Sequence, residues 1–208
     1  MIRTLVAAFA LALSLAAPAG AEEYMEGVHY ERIDPPVPTN TGSKVEVREI
    51  FWNGCPHCYR FEPYIERWLR NKPKEAQFVR MPGILRPSWE LLARAYYTEE
   101  ILGVVDKIHK PLFDAIHLER RRMDTEKALE DFFAEHGVSR EDFRKTFHSF
   151  AVETRVRRAR TLSRRYGIGG VPAVVVAGKY RLNNGMTGGP AETLKVINYL
   201  VALESGKR

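Results

Sequence analysis

Cys55, Pro56, His57 and Cys58 stand together, and Cys55 and Cys58 are the only cysteines in the 208-residue chain. Two thiols separated by two residues can close a small disulfide with each other, so the pair is suited to trading electrons. The thiolate is the reactive form, and whatever stabilises negative charge at one sulfur makes it a nucleophile. A structural zinc site needs four ligands. The sequence has no second cysteine pair, and His29, His109, His117, His136 and His148 show no ligand spacing. A soft Cu(I) site remains open to two thiolates, although nothing flanking them is specific to it. A bridge with a purely structural role would close so short a loop that little chain entropy is removed. Thiol–disulfide exchange is the reading the motif favours.

The elements that must hold the motif are legible on either side of it. Lys44–Trp52, rich in Val, Ile and aromatic residues, reads as a strand. Tyr59–Asn71 reads as a helix that offers Tyr59, Phe61, Ile65, Trp68 and Leu69 to a core and is expected to kink at Pro63. Cys55 then falls at a helix N-terminus, where free N–H groups and the helix dipole favour a thiolate. His57, between the thiols, can donate to that thiolate or place positive charge beside it. Glu49 lies in the strand among Val47, Ile50 and Phe51. A carboxyl buried there has a raised pKa and can exchange a proton with Cys58. Glu62 reads equally as a solvent-facing helix residue or as part of the site.

The first residues point to export. Arg3 gives a positive start, Leu5–Leu15 an apolar stretch and Ala19-Gly20-Ala21 a small-residue cleavage site, so 1–21 reads as a signal peptide and Glu22 as the mature N-terminus. The stretch is short for a bilayer span of roughly 20 residues. A soluble protein of an oxidising compartment, most simply a bacterial periplasm, is expected. The net charge of +6 loses only Arg3 with the leader. The basic run Arg155–Arg165 reads as a solvated helical face and has no interleaved aromatic platform, so no nucleic-acid partner is expected.

Along the rest of the chain, the Pro-rich lead-in to Gly42 allows a short edge strand, and Gln77–Met81 reads as a second core strand ended by Pro82-Gly83. From Pro87 to Arg165 the pattern turns helical. Trp89, Leu92, Ala93 and Tyr96 form one stripe and Leu112, Phe113 and Ile116 another. Asp124 or Thr125 opens a helix carrying Leu129, Phe132 and Phe133 and stopped by Gly137. Ser139 with Asp142 opens the next, and a long polar helix spans Ala151–Tyr166. Ala173–Val176 and Lys179–Leu182 then read as a hairpin about Ala177-Gly178. Pro190 opens a last helix with Leu194, Ile197, Leu200 and Val201 on its apolar face. Removing the helical block leaves a thioredoxin fold. The expected class is therefore α/β (α+β), with 22–83 and 156–208 forming the thioredoxin-like domain and 84–155 a helical domain inserted between the second and third core strands.

With Cys55-Pro56-His57-Cys58, the surrounding Phe51–Phe61, Gly170-Val171-Pro172 and the helical insertion in place, the chain resembles the DsbA family of periplasmic thiol-disulfide oxidoreductases. The resemblance covers nearly all of the mature chain. It implies that Cys55 is the exposed nucleophile and Cys58 the buried resolving thiol. It also implies a cis Pro172 beside the disulfide, where its backbone can pair with an extended substrate. Catalysis is then expected from Cys55, Cys58, His57, Pro56, Pro172 and Glu49, with Val171, Pro172 and Trp52 on the substrate side. Charged residues at Glu49 and Glu62 near the active centre fit the same resemblance. Asn53 and Gly54 stand where bulkier residues occur in relatives, which is expected to alter the substrate surface. The implied activity is donation of the Cys55–Cys58 disulfide to reduced, newly exported proteins through a mixed disulfide. A periplasmic reductase or isomerase and, from another class, a Cu(I)-binding chaperone are the alternatives. The sequence carries no flavin, nicotinamide or metal motif, so no cofactor is expected and the electrons must leave to an external acceptor. By resemblance this is a DsbB-like, quinone-linked inner-membrane protein. A monomer is expected.

Overall fold

A computed structural model describes residues 24–206, so the leader expected at 1–21 and the start expected at Glu22 lie outside the described residues. Seven residues, Val45–Phe51, form the central strand β2, since β1 is the two-residue Glu31–Arg32. The second core strand β3, Ala76–Pro82, pairs with β2 in parallel. On the other side of β2, β4, Ala173–Val176, runs antiparallel, followed outward by β5, Tyr180–Leu182, and β1. The five-stranded order is β1-β5-β4-β2-β3. Every residue of β2 but Arg48 is buried, as expected of a strand covered on both faces, and that burial includes Glu46 and Glu49.

One face of the sheet is closed by α1, Pro56–Asn71, and α8, Pro190–Glu204. Phe61, Ile65 and Trp68 of α1 and Val196, Ile197, Leu200 and Val201 of α8 pack on Val45, Val47, Val174 and Val176. Burying a side chain of this size is worth about 1.5–3 kcal/mol. The helix α1 runs unbroken through Pro63, and Tyr59 and Leu69 are only partly buried at its margins. Within α8, Thr193 and Val196 are buried where Leu194 is only partly so. A short α7, Asn184–Thr187, capped by Asn183, precedes α8 and has too few residues to show periodicity.

The other face carries the helical block: α2, Glu90–Leu102; α3, Val105–His117; α4, Glu126–Glu135; α5, Arg140–Phe147; and α6, Phe150–Arg165. Thr125, Ser139 and Ser149 each accept a backbone N–H three residues on, satisfying donors that the first turn leaves free. Ile50, Phe51, Met81 and Val175 of the sheet meet Tyr96, Phe113, Val152 and Val156 of this block. A second cluster inside the block is built from Leu112, Leu129, Phe132, Phe133, Phe143 and Phe147. Trp89, expected in the stripe of α2, instead sits half-buried in a single 3-10 turn, Pro87–Trp89. The helix α6 is continuous across residue 155 and packs on both α2 and α5.

The hairpin turn joining β4 to β5 has positive φ at Ala177 (54°) and Gly178 (66°), the conformation that matches a right-handed strand twist. A Cβ at Gly178 would stand 1.9 Å from the Val37 carbonyl oxygen, so the lead-in segment packs directly on that turn.

Candidate active site

Strand β2 ends at Phe51, and Trp52-Asn53-Gly54 turns the chain so that the Cys55 N–H donates to Trp52 O at 2.9 Å. Cys55 is the N-cap of α1 with no side-chain hydrogen bond to the first turn, and Pro56 takes the first helical position, where a missing N–H costs nothing. Both cysteines are free thiols. Cys58 is fully buried, and Cys55 keeps 8% of its surface, so Cys55 is recessed where the resemblance implied an exposed thiol. Cys55 Sγ lies 3.4 Å from Val171 O, and the Val171–Pro172 bond is cis. The cis proline and the first cysteine are therefore brought together across 116 residues.

The two sulfurs are electrically unlike. Cys55 is lowered from the usual 9.0 to about 6, first by a hydrogen bond from the Cys58 thiol and then by the N–H groups of Cys58 and His57 and the His57 charge, against the cost of burial. Burial, the same bond to Cys55 and the charge of Glu49 push Cys58 far up. His57 is exposed, and Arg60 Nη2 stands 2.9 Å from its Nδ1, placing a guanidinium at the first turn.

Under Cys58 lies a buried ionic cluster. Glu49 and Arg80 are register partners in the parallel β2–β3 ladder, and Arg80 Nε donates to Glu49 Oε2 at 3.2 Å. Arg80 Nη2 donates to Glu62 Oε2 and to Glu66 Oε1, both at 2.9 Å. Glu62 is buried, so it is not a solvent-facing helix residue. His109 Nε2 lies 3.4 Å from Glu62 Oε1. Two buried carboxyls thus share one guanidinium, and they part company. Burial and the Glu62 charge push Glu49 up to about 8, only partly opposed by Arg80. Glu62 is held below the usual range despite its burial, by the bond to His109 and the charge of Arg80.

Trp52 is stacked on Trp89, with ring centroids 4.4 Å apart and planes within 3°. Its ring lies over Gly54, where a Cβ would come within 2.4 Å, so Gly54 makes room for the stack. Asn53 is buried and contributes nothing to the substrate surface expected of it; its carbonyl accepts from His117 Nε2 at 2.7 Å. Tyr59 OH donates to Asp114 Oδ1 at 2.9 Å, and its ring stacks on His117. Helix α3 therefore grips both sides of the motif. A cleft of ≈ 950 Å³, walled by Ile84, Trp89, Arg160 and Arg164, runs to Gly170, which also lines a smaller one with His57, Val171 and Pro172. Among the described residues, no group of three or more His, Cys, Asp or Glu side chains is placed to hold a metal.

Sequence reasoning missed Arg80, Glu99, His109, Asp114 and His117. Arg80 alone carried a signal, a charge set between Val79 and Met81 in a core strand.

The Cys55 thiolate links stability to pH. Its folded pKa, about 6, lies below the usual 9.0, so its contribution is full above about 9 and is lost as pH falls through about 6. At pH 7 it amounts to about 1 kcal/mol once solvent screening at the mouth of the recess is allowed for. Cys58 stays protonated throughout that window and adds nothing. The oxidised protein has neither thiol. Denaturant unfolding of the two forms at about pH 5 and about pH 8 should therefore show the stability of the reduced form rising relative to the oxidised form with pH. An unchanging difference would place the Cys55 pKa outside this window.

The family match is to the DSBA-like thioredoxin domain, over residues 80–195. The thiol:disulfide interchange protein DsbA of Pseudomonas aeruginosa is 40% identical over 200 residues, 96% of this chain and 95% of its own. That of Burkholderia cepacia is 34% identical over 209 residues, 100% of this chain and 98% of its own. The crystal structure of Pseudomonas aeruginosa DsbA superposes with a TM-score of 0.84 at 40% identity, covering 88% of this chain and 95% of that one. The oxidoreductase DsbA from Xylella fastidiosa gives 0.82 at 30% identity, over 88% and 98%.

Proposed function

This chain belongs to the DsbA family of thiol:disulfide interchange proteins, and from that premise we propose how its own residues run the exchange and which partners it serves. It is a thiol:disulfide oxidoreductase that donates the Cys55–Cys58 disulfide to reduced exported proteins. A substrate thiolate attacks Cys55 Sγ, the Cys55–Cys58 bond breaks, and Cys58 leaves with the electron pair. The Glu49 carboxyl, pushed up to about 8, supplies the proton that Cys58 needs once it is buried as a thiol. A second substrate thiolate then attacks the substrate's own sulfur of the mixed disulfide and expels Cys55. The substrate has lost two electrons, and the protein holds them as one thiolate and one thiol.

The observation that carries the direction is the opposed shift of the two sulfurs, Cys55 to about 6 and Cys58 upward. A stabilised Cys55 thiolate is a good leaving group and lowers the energy of the reduced form, which makes the disulfide a stronger oxidant. An acidic first thiol joined to strong oxidising power is the general pattern of DsbA proteins, so the trend comes with the family and the residues that produce it are this chain's own. Val171, with its carbonyl facing Cys55, and Pro172 form the rim against which an extended substrate lies, and Trp52, held by its stack on Trp89, adds to the substrate side. The helical segment 84–155 caps this face. The contacts of Trp89, Asp114 and His117 with Trp52, Asn53 and Tyr59 support that assignment.

The protein works in the periplasm as a monomer after removal of 1–21, a reading supported by the leader pattern. A DsbB-like inner-membrane protein reoxidises it by offering its own disulfide to Cys55. Reduced and scrambled ribonuclease test the direction. Fast oxidation of the reduced substrate with poor unscrambling of the other is expected; the converse would make the protein an isomerase.

A further inference from the structure

Glu99 is a buried carboxyl that the exchange described so far does not use. It lies in α2 with no exposed surface, and neither of its oxygens hydrogen-bonds to protein. Its Oε2 is 3.9 Å from His109 Nδ1, which also lacks a hydrogen bond. The other nitrogen of the same ring faces Glu62 at 3.4 Å. His109 is wedged edge-on among Phe51, Tyr96 and Phe113, with ring centroids 5.0, 5.5 and 5.2 Å away, so the ring is confined between the two carboxyls.

The charges facing this ring are few. Strand β2 contributes Glu49, α1 contributes Glu62 and Glu66, and β3 contributes Arg80, which is bonded to all three. From α2 come Tyr96, Glu99 and Glu100, and Glu100 is occupied by Arg155 at 2.8 Å. One guanidinium therefore serves several carboxyls, and not all of the buried ones can be ionised. Burial favours the neutral form of both Glu99 and His109.

We propose that Glu99 and His109 are positioning residues for the resolving half-reaction. Glu99, as the neutral acid, donates to His109 Nδ1 and so fixes the tautomer whose Nε2–H points at Glu62. Glu62 thereby remains the ionised partner of Arg80, and Glu49 is left as the carboxyl that exchanges a proton with Cys58. Closing the 3.9 Å separation to hydrogen-bond length takes a shift of about 1 Å. The chain of contacts then reads Glu99, His109, Glu62, Arg80, Glu49, Cys58, and it joins the inserted helices to the buried thiol. This deepens the exchange reading above and rests on it.

The test is the pH profile of one step, release of glutathione from the Cys55–glutathione mixed disulfide by Cys58, in the full-length mature protein. The parent should release glutathione with a rate that rises as Glu49 loses its proton. In Glu99→Leu the ring loses its donor and Glu62 its bond, so Glu62 takes up a proton more readily and Glu49 gains the undivided charge of Arg80. The midpoint should move toward acid by about one unit. His109→Phe should move it the same way. Glu99→Gln should leave it in place, because an amide N–H donates to Nδ1 as the neutral acid does. Infrared spectra at neutral pH should show protonated-carboxyl absorption from both Glu49 and Glu99 in the parent and from Glu49 alone in Glu99→Gln. The double variant Glu99→Leu/His109→Phe replaces both partners by apolar side chains and leaves neither unpaired, so its midpoint, expected to move as in the single variants, keeps the comparison interpretable if either of them folds poorly. A Glu99→Gln shift equal to that of Glu99→Leu, or no shift in any variant, would overturn the proposal. Failure of the parent itself to release glutathione through Cys58 would overturn the exchange reading beneath it.

Discussion

Cys55→Ser should reduce disulfide transfer to the rate of the uncatalysed reaction. Cys58 has no exposed surface, so the remaining sulfur cannot meet a protein thiol, and its burial keeps it protonated. The substituted hydroxyl cannot form a disulfide, and its pKa lies far above any at which the helix N-terminus would ionise it. The loss is expected without a loss of fold, because a hydroxyl is smaller than the thiol and reproduces its contact with Val171 O, 3.4 Å from Sγ, by a small approach. Oxidation of reduced ribonuclease measures the activity, and thermal unfolding measures the fold. Residual catalysis well above background would mean that a sulfur other than Cys55 is the point of attack.

Cys58→Ala should have the opposite outcome at the bench: covalent complexes that persist. Cys55 keeps its position at the start of α1 and the N–H groups of the first turn, although it loses the hydrogen bond from Cys58, the largest of the influences lowering its pKa. Its pKa should therefore rise part of the way back toward 9.0 while a usable thiolate fraction remains. Attack on a disulfide of a partner or of the reoxidant then forms a mixed disulfide through Cys55, and no neighbouring thiol is present to break it. Mass spectrometry of such complexes isolated from cells should recover exported proteins and one membrane protein. Recovery of exported proteins alone would assign reoxidation to another route. Removing Cys58 also replaces a buried polar thiol with a methyl group, leaving a small cavity beneath Cys55 whose cost should not exceed about 1–2 kcal/mol.

The motif, its strand and its helix are legible in the sequence because the information is local. Alternating and continuous apolar residues mark Val45–Phe51, and Cys55 to Trp68 carry their own helical pattern. Capping residues likewise announce α4 and α5 at Thr125 and Ser139. Glu49 is legible too, as a charge inside an apolar strand. Its environment is not. Arg80 reaches it across a parallel ladder whose register depends on the fold, 31 residues away, and His109 reaches Glu62 across 47. A histidine with no ligand spacing looks idle in a sequence, and Glu99-Glu100 looks like helix surface. Only the packing of α2 and α3 against β2 and α1 turns one of those two glutamates inward. Helical spacing puts Trp89 in the stripe of α2 and cannot foresee that its ring lies flat on Trp52. The recess around Cys55 is hidden for the same reason, since it is made by Val171 and its neighbours, more than a hundred residues downstream.

The margins of the sheet bear on a hazard specific to this activity, since the clients are unfolded chains seeking strand partners. An open strand edge would hold them by backbone pairing and seed aggregates of enzyme and client. One margin of the sheet is β1, only two residues long, with Arg32 lying over the Tyr180 ring and paired to Glu26. The other is β3, where the Arg80 guanidinium covers the Phe78 ring and Pro82 ends the strand without an N–H to offer. Both borders are thus poor templates, which leaves an extended client the rim proposed at Val171, 3.4 Å from the Cys55 sulfur. Such a surface retains a client through one covalent bond and little else. Residence is then governed by chemistry that the next thiol can undo, and the protein can pass through a crowd of sticky, half-made chains without joining them.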